Sequence, residues 1–251
     1  MTAGGMGLPA LQIRSLCAGY GAHQVLADIE LAVACGEWFA LLGPNGSGKT
    51  TLLQCIGGQL TPTAGSVLIG GEALAAEPRR ARRLLGYAHA PERLPGLLTG
   101  RQCLSVYAAA WDLQEVPEDV MALAERLGLT GWLDRFVDSY SLGTRQKLAV
   151  TLALVGDPKL VVLDEAFNGL DPASALVVRR ELQQRVQARR CAVVLATHAL
   201  DLVLRHATRA ALLLEGRLVH TWDAQQLQAM RTGSPEALES ALAEAAAGAV
   251  A

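Results

Sequence analysis

Eight residues constrain this chain more than any others: Gly43-Pro44-Asn45-Gly46-Ser47-Gly48-Lys49-Thr50, a match to GxxxxGK[ST]. The apolar run 38–42 leads straight into them as a strand. Residues from Thr51 to 56 continue as a helix that stops at Gly57-Gly58. A strand, a glycine-rich loop and a helix in that order build a cradle for an anion. Glycines let successive backbone N–H groups turn inward with no Cβ in the way. The helix adds its positive N-terminal end. Lys49 is then expected to reach the β- and γ-phosphates of a nucleotide as a point charge, and the Thr50 hydroxyl to hold Mg²⁺. Gly43 through Thr51 form the expected phosphate-contacting run.

A second element is Leu160-Val161-Val162-Leu163-Asp164-Glu165. Four apolar residues read as a buried strand, and two carboxylates emerge at its C-terminal end, where open α/β sheets bind ligands. Asp164 fits a Mg²⁺ partner, directly or through water. Glu165 is placed to orient or deprotonate an attacking water.

Around these two pieces the pattern changes along the chain. Residues 11–16, 25–33 and 66–69 read as strands, with a turn at Gly19-Tyr20-Gly21. Strand signals vanish after Pro91, and 101–111, 117–127 and 143–155 have helical periodicity. Alternation resumes with 160–163, 172–188, 192–197, 200–206 and 210–214. The predicted fold is α/β: a P-loop NTPase with a mainly parallel sheet core, an antiparallel β part at the N-terminus and an inserted helical lobe. We expect one domain over 8–232, its core formed by 8–90 and 154–232 and its lobe by 91–153. Residues 233–251 are expected to be a flexible, alanine-rich tail, helical over 236–247 and fraying.

The 251 residues, 51% of them apolar, suffice for one such domain. A net charge of −2 leaves no global basic field, so nucleic acid is not an expected partner. The arginine clusters at 79–83 and 179–190 read as solvated helix faces. The five cysteines are scattered without a CxxC pair, which suits buried reduced thiols rather than disulfides or zinc. No apolar run approaches the ~18 residues needed to cross a bilayer, and the first ten residues lack a secretory pattern. A cytosolic chain is expected.

The ordered set of motifs resembles the nucleotide-binding domains of ABC transporters from Leu11 to about Leu227. Gly36 through Leu52 looks like that family's Walker A region, and Tyr140-Ser141-Leu142-Gly143-Thr144-Arg145-Gln146-Lys147 like its signature. Asn168-Gly169-Leu170-Asp171-Pro172 resembles the D-loop and Ala196-Thr197-His198 the H-loop. The resemblance implies an ATPase with ATP and Mg²⁺, two chains sandwiching two ATP molecules head to tail. Ser141, Gly143 and Thr144 would grip the γ-phosphate bound by the opposite subunit, and Asp171 would lie along the seam. His198 would donate to the γ-phosphate and help position the water. Tyr20 resembles the aromatic residue that stacks on adenine, with an ordinary half-buried tyrosine as the alternative.

Three departures from the family pattern stand out. Gly86-Tyr87-Ala88-His89-Ala90-Pro91-Glu92 puts Ala90 where the family has the Mg²⁺-sensing glutamine, and His89 or Glu92 are the candidate substitutes. The signature carries Leu142 for glycine and Thr144 for glutamine, a style similar to the export-type ABC-2 systems. Ala166 stands where proline is common. The expected partners are a transmembrane permease on a separate chain and a second ATP-binding subunit, identical or not. This would place the protein in the cytoplasm, peripheral on the inner face of the cell membrane. Docking is expected on the lobe, with Leu94, Leu97 and Leu98 as contacts or as residues packed beneath it. Two other readings stay open: a soluble ATP-dependent switch in translation or DNA metabolism, and an ATP clamp with weak hydrolysis.

Overall fold

The computed structural model describes residues 8–232 and 237–250. The chain opens with β1 (Leu11–Tyr20) and β2 (His23–Val33), an antiparallel pair turned at Gly21, where φ is +58°. Next come β3 (Trp38–Leu42), α1 (Lys49–Ile56), β4 (Ala64–Ile69) and β5 (Glu72–Ala73). A short α2 (Pro78–Arg82) leads to β6 (Leu85–Ala88). The lobe then supplies α3 (Gly100–Ala110), α4 (Glu118–Arg126) and α5 (Leu142–Ala153). The chain returns through β7 (Leu160–Asp164), α6 (Pro172–Gln187), β8 (Ala192–Ala196), α7 (Leu200–His206) and β9 (Arg209–Leu214). It ends with β10 (Arg217–Trp222), α8 (Ala224–Thr232) and α9 (Ala237–Val250).

Two sheets result. One runs β2-β1-β4-β5 and is antiparallel. The other runs β10-β9-β3-β8-β7-β6; every neighbouring pair is parallel except β10 with β9. The central strands are buried on both faces, and their alternating side chains split the interior in two. Phe39, Leu41, Val162 and Val194 face α1 and the antiparallel sheet. Trp38, Leu42, Leu163 and Leu195 face the other way and share one core with Leu104, Leu123 and Leu148 of the lobe. The lobe is therefore a layer on the sheet rather than a separately cored unit.

Sequence signals explain the boundaries. Thr99 and Gln102 form a reciprocal capping box at the start of α3. The signature helix starts earlier than residue 143, because Ser141 caps it by accepting the Thr144 N–H at 3.2 Å.

The tail differs from the expectation of a flexible segment: α9 is docked. Leu238 is fully buried, and Ala241, Leu242, Ala245 and Ala246 pack on the same core. That spacing is one helical face, so the alanine-rich stretch has an apolar stripe with something to cover. Residues 233–236 and 251 of that tail lie outside the described residues. No helix among the described residues is long and apolar enough to cross a membrane.

Candidate nucleotide site

The loop between β3 and α1 has the backbone that its glycines allow. Gly43, Gly46 and Gly48 all have positive φ, at +153°, +82° and +107°. A Cβ on Gly43 would stand 2.3 Å from the Leu213 carbonyl and 2.7 Å from Ser47 Oγ, so the loop closes only with glycine there. Lys49 is 8% exposed, and its Nζ donates to the carbonyls of Gly43 and Pro44 at 2.7 and 3.0 Å. Among the described residues, Ser47 Oγ is buried without a hydrogen-bond partner. An orphan hydroxyl in a glycine cradle beside a lysine fits an incoming phosphate oxygen.

One support of this loop is not among the expected site residues. The β9–β10 hairpin turns at Glu215-Gly216, and the Gly216 N–H donates to the Ser47 carbonyl at 3.0 Å. Gly216 has φ +73°, and a Cβ there would lie 1.8 Å from the Val25 carbonyl. An acidic-glycine pair between two apolar runs is a turn signal that a reading of 217–222 as a strand would have used.

The strand ends of β7 and β8 bring the polar groups to the loop. The Thr50 side chain stands close enough to the Asp164 carboxylate to favour its charged form. Burial raises the pKa of Asp164 and Glu165 adds to the rise, while Thr50 and Lys49 oppose it. Mg²⁺ with a nucleotide takes one or two protein oxygens and fills its sphere with phosphate and water. The hydroxyl and carboxylate fit that requirement. Glu165 adopts φ +48°, and its N–H donates to the Ala196 carbonyl at 3.0 Å. His198 Nδ1 lies 3.0 Å from Glu165 Oε1, and Asn168 Nδ2 donates to Glu165 Oε2 at 3.3 Å. A left-handed glutamate held from both sides is a costly arrangement of the kind found at working sites.

The remaining expected residues fall in two places. Tyr20 is half exposed at the end of β1, and its hydroxyl donates to Gln54 Oε1 of α1 at 2.7 Å, on the flank of the same helix. Ser141, Gly143 and Thr144 sit at the start of α5, against the loop that follows Glu165. A Cβ on Gly143 would meet the Gly169 carbonyl at 2.8 Å. Asp171 caps α6, accepting from Ser174 N–H and Oγ at 2.9 and 2.7 Å, and also pairs with Lys147 at 2.9 Å. Lys147 is the last residue of the signature run.

Ala90 is exposed and brings no side-chain donor or acceptor. His89 is occupied elsewhere: its ring packs on Tyr87 and its Nδ1 lies 3.5 Å from Gln59 Nε2. Burial and the charge of Arg93 hold its pKa below the usual histidine value. Arg93 in turn donates to Gln59 Oε1 at 2.8 Å. Of the three docking leucines, Leu94 and Leu98 pack into the core and Leu97 alone is exposed, at 85%.

A glycine cradle on a parallel sheet, a carboxylate pair at the next strand end and a helical lobe define an ATP-binding cassette of the P-loop NTPase fold. The family model for the ABC transporter matches residues 26–168, and the chain belongs to this family and carries its ATPase domain. The ABC transporter ATP-binding protein YdbJ of Bacillus subtilis (strain 168), itself uncharacterized, is 37% identical over 214 residues, covering 85% of this chain and 69% of that protein. ATP-binding cassette sub-family A member 7 of Rattus norvegicus is 37% identical over 203 residues, 79% of this chain. The aligned part spans only 9% of the rat protein's length. A solved ATP-binding subunit of an ABC transporter superposes with a TM-score of 0.83 at 29% identity, covering 93% of this chain and 99% of that one.

Proposed function

We propose that this chain binds and hydrolyses ATP to power a membrane transporter of the export type, with two such subunits closing head to tail on two nucleotides. One observation carries the chemistry: Glu165 stands at the end of β7, bonded by His198 at 3.0 Å, beside the loop that holds Lys49. Lys49, the loop N–H groups and Ser47 bind the phosphates. Thr50 and Asp164 would hold Mg²⁺, which would supply charge neutralisation at the phosphates. Glu165 takes a proton from the attacking water, and His198 keeps that carboxylate aimed. Tyr20 stacks on the adenine ring of the nucleotide. Opening and closing of the pair would drive a permease carried on another chain, with this subunit peripheral on the cytoplasmic face of the membrane. The signature style of Tyr140 to Thr144 and the relatives' description as ABC transporters support the transport reading.

The test is steady-state turnover of Mg-ATP by the purified chain and its Glu165→Gln variant. Loss of a general base predicts a fall of ~10²–10⁴-fold in kcat with nucleotide binding retained. Turnover that survives the substitution would sink the assignment. The clamp reading rests on Ala90, which offers no polar side chain to the metal; a wild-type chain that binds ATP without turning it over would establish it.

A further inference from the structure

Among the described residues of α9, Leu238 alone is fully buried, in its first turn. Beyond it the contact face is Ala241, Leu242, Ala245 and Ala246. Its two acids, Glu239 and Glu244, are exposed, so apolar contact is what holds it. Small side chains do not fill the space beneath a helix. A cavity of about 580 Å³ opens on one side, between Ala241 and Ala245 of α9 and Val219 and Trp222 of β10. A second, of about 380 Å³, is walled by Leu242 and Ala246 and by Leu42, Leu212, Pro44 and His198. Ala246 also borders a third cavity, with Asn45, Gly46 and Ser47 of the phosphate loop. The loosely seated half of α9 thus flanks both the phosphate loop and the histidine that holds Glu165.

We infer that α9 is an autoinhibitory strap: docked, it stands in the path of the second subunit, and it must leave that edge before two chains close on ATP. This rests on the proposed head-to-tail ATPase and adds what holds the pair apart. Closure requires the partner's Ser141 to come within about 3 Å of the γ-phosphate. A helix with its side chains is about 10 Å across, too thick to share the approach to His198 with an incoming subunit. Release exposes little more than Leu238, Leu242 and a row of alanines, a loss small enough for closure to offset. Docked and released α9 are then two populations, and Mg-ATP with a second chain favours the released one.

The test uses the full-length chain, with Leu238→Ala to weaken the anchor and Ala245→Leu to fill the larger cavity. Neither residue lines the cavity at His198, so both variants act through docking. ATP turnover at saturating Mg-ATP should rise by roughly 5-fold or more in Leu238→Ala and fall by as much in Ala245→Leu. Hydrogen exchange of the α9 amides should be faster than wild type in the first and slower in the second. In a Glu165→Gln background, Mg-ATP should speed exchange across α9 as dimers appear in light scattering. Should Leu238→Ala fail to fold, Ala245→Leu carries the test alone. Dimers that form with α9 as protected as in the monomer would overturn the strap and leave the ATPase reading standing. Wild-type turnover in a folded variant whose α9 exchange has moved would do the same. Turnover that appears only in Leu238→Ala supports both readings. Its absence from the wild type and from both variants overturns the ATPase reading and this inference with it.

Discussion

Asp164 is held under opposing influences. Burial and Glu165 raise its pKa from the ordinary 3.8, while Thr50 and Lys49 pull the other way and lose. A carboxyl whose folded pKa is raised binds its proton more tightly in the native state than in the unfolded chain. Its contribution to stability is then fully present at low pH and lost as pH rises through that range. At neutral pH the ionised Asp164 is a strain on the nucleotide-free fold. Asp164→Asn should therefore raise the melting temperature of the nucleotide-free chain by on the order of 2 °C, and should remove the further rise that Mg-ATP produces in the wild type. Differential scanning fluorimetry with and without Mg-ATP reads both. A lowered melting point for the nucleotide-free variant would contradict the account.

Between elements, Arg185 joins three parts of the architecture. It is 3% exposed on α6 and bonds Glu181 on the same helix, Asp119 on α4 of the lobe and Asp157 before β7. Arg126 of α4 adds a second bond to Glu181 at 2.6 Å. Burial pushes the Glu181 carboxyl up, but the bonds from Arg126 and Arg185 outweigh it and leave the pKa below its ordinary 4.5. A depressed acid contributes stability that is present above its unfolded pKa and is lost as pH falls through the folded one. Acid should loosen the lobe–core junction below about pH 4.5, and Glu181→Gln should blunt that dependence in a pH series of thermal melts. Arg185→Met leaves carboxylates uncompensated and should cost about 2–4 kcal/mol in a urea titration, the low side for a buried pair because Asp119 and Asp157 are half exposed. None of these partners could be found from sequence: Asp119 and Arg185 lie far apart along the chain and obey no spacing rule. Local patterns were a better guide. The phosphate loop, Glu165 after four apolar residues and the helices at 101–111 and 117–127 were all readable because each depends on neighbours in the chain. β10 and the docking of α9 are not legible locally, because those depend on what already stands beside them. The alanines at 241, 245 and 246 become a contact face because α9 lies against α7, α8, β9 and β10.

At the scale of the whole molecule, the face formed by the start of α5 and the loop after Glu165 is left with an apolar side chain in water. Leu142, the first residue of α5, is 56% exposed. On the head-to-tail reading this face meets the second subunit. Leu142→Asp adds a charge at a helix N-terminus, where an acid is favourable, so the fold should be unharmed. In a Glu165→Gln background with Mg-ATP, light scattering should find dimers, and adding Leu142→Asp should return the chain to monomer at the same melting temperature. Dimers undisturbed by that charge would move the seam elsewhere. The order of the larger sheet also bears on how the protein is made. β3, which delivers the chain into the phosphate loop, lies between β8 and β9: Trp38 pairs with Val193, and Phe39 with Arg209. During synthesis the early half of the loop's cradle therefore waits for strands that are made only after the whole helical lobe. A nascent chain should therefore hold no ATP until β8 and β9 have joined β3, and a message truncated before β8 should yield no partial nucleotide binder.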